Sequence, residues 1–233
     1  MKTTYLFLLL STFSFSQDIE NGWSTYNGKI GNSSIIVSLF KDAKNNLIGN
    51  YCYNKYEKRI PLKGILGKDS FTISEYSNSK ATATFYGLFV TNDSITGKWK
   101  NNSNNNIFDF TMQLSAWTGG SIDHKYSSLG SNKEIENYFE KTKKAIIDDD
   151  KIWLSTNISY PIKVTINNKK VTIKSSKDFI TKYTSIITQA FKTKISNHCI
   201  CDIFANDQGA MIANGALWIN KIKSKLVIIS INN

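Results

Sequence analysis

One change of periodicity, near residue 116, constrains this chain more than any other feature of its sequence. Before it, apolar residues recur at every second position in short runs at about 24–30, 33–40, 46–54, 59–66, 70–76, 82–90, 94–100 and 106–115. That is the pattern of half-buried strands. Gly31-Asn32, Lys44-Asn45-Asn46, Gly67-Lys68-Asp69, Ser77-Asn78-Ser79, Asn92-Asp93 and Asn101 to Asn106 separate the runs. Asn, Asp and Gly tolerate positive φ and so turn a chain sharply. Connections this short make neighbouring strands antiparallel. Eight of them in succession predict an all-β antiparallel up-and-down meander that closes into a barrel over residues 18–116.

The same half carries an internal repeat of apolar residue, Gly and aromatic residue at alternate positions. It stands as Leu47-x-Gly49-x-Tyr51, Phe85-x-Gly87-x-Phe89 and Ile95-x-Gly97-x-Trp99, with Leu62-x-Gly64 as a truncated form. Alternation places each set on one face of its strand, and a central Gly lets the strand coil tightly or a ring cross bare backbone. In the last run Phe108, Phe110, Met112 and Leu114 are expected inward, with Asp109, Thr111 and Gln113 outward. In strand number and glycine spacing this half resembles small meander barrels of the avidin and lipocalin types; the resemblance implies no particular ligand.

Gly119-Gly120, Ser127-Ser128 and Gly130 mark residues 117–131 as a linker. Helical spacing then begins. Ser131-x-x-Glu134 is a capping box, followed by Ile135, Tyr138, Phe139, Thr142 and Ile146 on one face. A second short helix is expected over 151–157. Strands over 160–166 and 169–174 meet at Asn167-Asn168, a good hairpin turn. Ser175-x-x-Asp178 opens a helix expected to run to Phe191. Three strands follow at about 198–205, 209–219 and 224–232. Residues 132–233 thus predict an α+β domain with helices packed on a curved antiparallel sheet. The order helix, helix, hairpin, helix, meander, with the run from Asn206 to Trp218, resembles the cone-shaped (cystatin-like) fold of the nuclear transport factor 2 superfamily, as found in exported bacterial proteins. The resemblance implies the cone fold and a cavity; it implies no single activity, because that superfamily hosts many.

Residues 1–16 combine Lys2, an apolar stretch from Tyr5 to Leu10, and Ser14-Phe15-Ser16 before Gln17. This is the pattern of a secretory signal peptide cleaved near Ser16-Gln17, and it predicts a periplasmic or secreted protein. No stretch approaches twenty apolar residues, so no membrane span is expected. The net charge is +11, yet Arg59 is the one arginine and the lysines are scattered. Arginine is the usual reader of bases and phosphates, so nucleic acid is not an expected partner. Residues 18–116 carry 11 basic and 8 acidic groups and residues 117–233 carry 17 and 10, which puts most of the excess in the second half.

Catalytic motifs are wanting. His198, Cys199 and Cys201 invite a zinc reading. On a strand over 198–205, however, His198 faces away from both cysteines, and a fourth ligand is not evident; no metal and no cofactor are expected. Cys52, Cys199 and Cys201 read as small apolar core residues. Whether any two pair is left open, since nothing local favours a bridge from Cys52 to the second half. Asp202 is the one carboxylate central to the late strands and a weak candidate general base; its alternative is a carboxylate at a sheet edge or in an ion pair. Glu75 shares a face with Phe71 and Ile73 and is a ligand candidate at the barrel mouth, or else a solvated rim residue. Trp153, Tyr160, Asn214 and Trp218 are candidates to edge the cone cavity, with Ile212, Asn214 and Trp218 on one strand face. The closing strand is apolar on both faces, Leu226 and Ile228 against Val227, Ile229 and Ile231. Burial against the first domain, or a homodimer through this C-terminal sheet, is expected. The reading as a whole is non-catalytic binding of a protein, peptide or glycan in the cell envelope. The alternatives are an enzyme using the cone cavity with Asp202 as base, and an inhibitor or immunity protein against a secreted hydrolase.

Overall fold

The computed structural model describes residues 20–56, 58–91, 93–126 and 129–233; the expected signal peptide lies outside the described residues. Eight antiparallel strands form a closed barrel in sequence order: β1 (Gly22–Ile30), β2 (Ser33–Lys41), β3 (Asn46–Tyr53), β4 (Ile60–Leu66), β5 (Ser70–Ser77), β6 (Lys80–Thr91), β7 (Ser94–Asn101) and β8 (Ile107–Thr118). The β1–β8 pair closes it, with a bulge at Thr25/Tyr26 that steepens the local twist. Asn45, Asn78, Ser79 and Asn105 take positive φ in the turns, as their composition requires.

The glycine repeat explains how the barrel is filled. Leu47, Tyr51, Leu62, Phe85, Ile95 and Phe110 all point inward and are buried. Phe85 meets Tyr51 and Phe110 edge-on, with centroids 5.4 and 5.2 Å apart. Gly87 and Gly97 pair across β6 and β7. A Cβ on Gly87 would stand 2.2 Å from the Phe71 ring, and one on Gly97 would stand 2.0 Å from the Tyr86 carbonyl and 2.8 Å from Phe110. The glycines therefore give their volume to neighbouring rings, and a void of only about 10 Å³ remains near Tyr26, Phe71 and Ile95. Phe108 is a partial exception to the alternation. It pairs with Trp99 on the inner face, their rings 5.9 Å apart, but sits at the barrel's open end and is 47% exposed.

Beyond the barrel come α1 (Asn132–Ile147), α2 (Lys151–Thr156), the hairpin β9 (Ile162–Ile166) and β10 (Lys169–Ile173), three short helices, and a four-stranded antiparallel sheet β11–β12–β13–β14. Ser131 caps α1 by accepting from the Glu134 N–H. Asp150 does the same for α2 through the Trp153 N–H, 2.9 Å away, so the acidic run that ends one helix starts the next. Asn167 and Asn168, at φ 51° and 60°, make the expected turn.

Three expectations need correction. The helix from Ser175 does not run unbroken to Phe191. It divides into α3 (Ser176–Thr181), α4 (Tyr183–Ile186) and α5 (Gln189–Ser196), because Thr188 leaves the helix to cap α5 through the Phe191 N–H. Residues 198–203 are not a strand but a turn, and β11 covers only Phe204–Asn206. The strand over 209–219 is a hairpin, β12 (Gly209–Ile212) and β13 (Leu217–Ile222), turned by Ala213, Asn214 and Gly215 at positive φ. Ile212, Asn214 and Trp218 therefore do not share one strand face.

The two-sided apolar pattern of β14 (Lys225–Ile231) has a local cause. A register shift against β13 at Trp218/Ile219 makes Ile229 an extra residue. The bulge reverses the alternation, so Leu226, Ile228 and then Ile231 all reach the core, while Val227, on the opposite face ahead of the bulge, is buried as well. The core is completed by Ile135, Phe139, Leu154, Phe179 and Ile195, among others. No helix among the described residues is long and apolar enough to cross a membrane.

Gly97→Ala should destabilise the protein by about 2 kcal/mol, since its methyl meets backbone and a packed ring that have no room to yield. Urea denaturation monitored by tryptophan fluorescence measures this; a change under about 0.5 kcal/mol would mean the barrel wall is more pliant than its packing implies.

Candidate functional site

The two regions meet along a seam, and the segment 198–203 between α5 and β11 forms its centre. Cys52 lies on the outward side of β3, opposite Ile36 on β2. The segment packs there, and Ile36, Cys52, Cys199 and Cys201 form one buried cluster. Cys52 and Cys201 are joined by a disulfide. Their pairing corrects the reading of all three cysteines as plain core residues. Nothing local in the sequence points to it, because its two cysteines are 149 residues apart and meet only when the turn 198–203 packs on β3. Cys199 Sγ lies 3.9 Å from Cys52 Sγ and accepts from the Cys201 N–H at 3.2 Å.

Cations hold the segment from outside. Lys143 Nζ donates to the His198 carbonyl at 2.7 Å and Arg59 Nη2 donates to that of Ile200 at 3.1 Å. The His198 ring turns inward, with Nε2 2.7 Å from the Asp202 carbonyl. A carbonyl only accepts, so Nε2 carries the proton.

Next to this segment lies a buried lysine. Lys125 is 6% exposed and donates to Ser38 Oγ at 2.8 Å. Its ammonium faces the rings of Tyr126 and Trp23 at 5.4 and 6.0 Å. Arg59 pairs with Glu136 at 3.2 Å, and Tyr126 donates to Glu136 at 2.9 Å. Burial lowers the Lys125 pKa to about 8 against the opposing pull of Glu136. Burial also raises the Tyr126 hydroxyl well above its ordinary value.

Two depressions flank the segment. On one side a cleft of about 180 Å³ lies between the barrel and the α+β region. Asn27 and Ser115 face His198, Asp202, Phe204 and Asn214 across it. On the other side an open groove of about 420 Å³ carries Arg59, Lys143 and Lys144, with Glu140 and Asp148, and reaches Ile200 and Cys201.

The candidate residues divide accordingly. Asp202 and Asn214 share the cleft, and Trp218 stands opposite Met211, another of its lining residues. Trp153 and Tyr160 lie elsewhere, against the core: Trp153 packs on Tyr138 with ring centroids 5.9 Å apart, and Tyr160 donates to the Ser155 carbonyl at 2.9 Å. Glu75 is not a solvated rim residue. It is buried inside the barrel, where it accepts from Tyr51 at 2.7 Å, from Thr82 at 3.2 Å and from the Trp99 indole. A strand over 198–205 turns His198 away from its neighbours, whereas the turn sets it in the cleft. Lys125 carries no signal in the sequence, since its burial depends on Ser38 and Trp23 about ninety residues away.

The cleft presents amide, hydroxyl, imidazole and carboxylate groups within a small volume, which suits polar recognition. The geometry does not form a hydrolytic triad. Ser115 Oγ donates to the Thr25 carbonyl at 2.9 Å, not to His198, and His198 meets the backbone of Asp202.

Glu75→Leu should cost about 3 kcal/mol, because it strands the buried Trp99 indole without an acceptor and leaves the Tyr51 hydroxyl with Tyr53 as its one remaining partner of the cluster. Glu75→Gln, which keeps one oxygen, should cost less; equal stability of the leucine variant and the parent in denaturation would show that the barrel reorganises around the loss. Lys125 gives a pH signature. Its folded pKa lies below its unfolded value, so the unfolded chain binds the extra proton above about pH 8 and stability rises with pH. Relative to a Lys125→Met variant, unfolding of the parent should become about 2 kcal/mol harder between pH 8 and 10; the buried tyrosines, whose ionisation in the unfolded chain opposes this rise, are common to both proteins and cancel. Thermal scans of Lys125→Met should lack the rise; a parallel rise in the variant would assign it to another group. The sequence matches no known protein-family model and no curated protein.

Proposed function

We propose that this chain is an exported binding protein of the cell envelope, without catalytic activity, which takes a protein, peptide or glycan at the cleft between barrel and α+β region. One observation carries this reading: the barrel, where a meander fold would ordinarily hold a ligand, is filled by aromatic side chains, whereas polar groups from both regions converge on the cleft. A cavity of about 180 Å³ has room for one sugar ring or one side chain, so the contact is the anchor of a larger ligand rather than the enclosure of a whole one. The Cys52–Cys201 disulfide supports export, because such bonds persist in oxidising compartments. The order of elements after the linker supports a cone-like fold of the nuclear transport factor 2 kind for residues 132–233.

A second reading has one observation in its favour. His198 and Asp202 line the same cleft, so an acid–base enzyme with Asp202 as base has its groups in one place.

A glycan array together with affinity capture from envelope extract tests the proposal, with the parent protein compared against an Asp202→Ala, Asn214→Gly variant. Glycine is chosen because position 214 has positive φ. The parent should hold a defined partner, and the variant should bind it at least about tenfold more weakly. Equal affinity would remove the cleft from recognition. Chemical conversion of the captured partner, abolished by Asp202→Asn, would establish the enzyme instead.

A further inference from the structure

We propose that Cys52, Cys199 and Cys201 form, when the disulfide is reduced, a three-sulfur site for a soft monovalent cation of the Cu(I) kind.

The three Sγ atoms all lie within 4.8 Å of one another, and all three residues are buried. Three thiolates around one cation, at metal–sulfur distances of about 2.3 Å, stand roughly 4 Å apart. Cys52 and Cys199 already stand 3.9 Å apart. Opening the bond lets the third sulfur relax to a similar spacing. The sulfurs form a compact triangle, which suits capping by one ion. It does not suit attack by Cys199 on the disulfide, which needs the three sulfurs in a row.

The surroundings select the ion. Ile36 is the other member of the buried cluster, and the His198 imidazole is turned to the Asp202 carbonyl. Zinc favours four ligands of N, S or O type, whereas thiolates alone in an apolar setting favour Cu(I). The thiolate form is supported as well. The Cys201 N–H points at Cys199 Sγ, and Lys143 and Arg59 grip the carbonyls of His198 and Ile200 on either side of Cys199. The groove beside Arg59 and Lys143 reaches Cys201, which gives the ion a path inward.

The chemistry balances with an external dithiol. It passes two electrons and two protons to the Cys52–Cys201 bond and leaves as its own disulfide. Cu(I) then binds as a preformed ion and releases the thiol protons to solvent. The metal and the disulfide exclude one another.

The test is an anaerobic Cu(I) titration of the full protein, reduced with a phosphine and competed against a chromophoric Cu(I) chelator. One ion per chain is expected, with three sulfurs at about 2.3 Å by X-ray absorption. Cys199→Ser should weaken binding at least about tenfold, and the oxidised parent should bind no stoichiometric copper. Near-UV circular dichroism checks the fold of the reduced protein and of the variant. The proposal is overturned by absence of stoichiometric binding to the reduced protein, by an unchanged affinity in Cys199→Ser, by equal binding to the oxidised protein, or by loss of the near-UV signal on reduction. A serine variant that does not fold is replaced by Cys199→Ala, under the same criterion.

Discussion

The architecture rests on one contact: at Ile36 and Cys52 the outward face of β2 and β3 is not solvated but covered by the turn 198–203. A meander barrel ordinarily buries one face of its sheet and leaves the other to water. Here Ile36 and Cys52 on that outer face are buried against Cys199 and Cys201. The disulfide ties points 149 residues apart in sequence, which removes much of the freedom of the unfolded chain. Around it, Lys125 is enclosed with Ser38, Trp23 and Tyr126 as its neighbours, and Arg59 pairs with Glu136. A buried ammonium is costly unless its surroundings answer it. These partners come from β1, β2 and α1 as well as from the linker, so the arrangement exists only when both regions are in place. The cleft inherits this dependence, since Asn27 and Ser115 belong to the barrel and His198, Asp202 and Asn214 do not.

What the sequence disclosed follows the range of the forces involved. The eight strands, the turn residues between them, the Ser131 cap and the Asn167-Asn168 hairpin are settled by neighbours within a few positions, and period and turn chemistry revealed them. The filling of the barrel was half legible: the Gly-x-aromatic spacing gave the face, but only the register sets Gly87 beneath Phe71 and Gly97 beside Phe110. The failures share a cause. Residues 198–203 and 213–216 are apolar enough to pass for strand interior, yet the first is fixed by Cys52, Arg59 and Lys143, and the second turns through three positive-φ residues. Extending a strand across either segment misplaced His198, the cysteines and Asn214 together. Glu75 failed differently. Its inward face follows from alternation with Phe71 and Ile73, but its depth does not, because its donors Tyr51 and Trp99 are each twenty-four residues away.

The filled barrel and the seam bear on each other. Gly87 and Gly97 admit the rings of Phe71 and Phe110, Gly49 and Gly64 let the neighbouring strand's backbone come close, and the packed rings close the space where a ligand would sit. The barrel thereby becomes a rigid wall, and a rigid wall is what a recognition site at its edge requires. The opposite wall is the segment 198–203, fixed at the His198 and Ile200 carbonyls by Lys143 and Arg59, and internally by the Asp202 N–H on the Cys199 carbonyl at 3.0 Å. None of these three bonds involves sulfur. The position of His198 and Asp202 in the cleft therefore does not depend on the cysteine bridge alone. One short turn can face the polar cleft on one side and the sulfur cluster on the other, and the chemistry of the sulfurs can change while the polar wall keeps its backbone anchors.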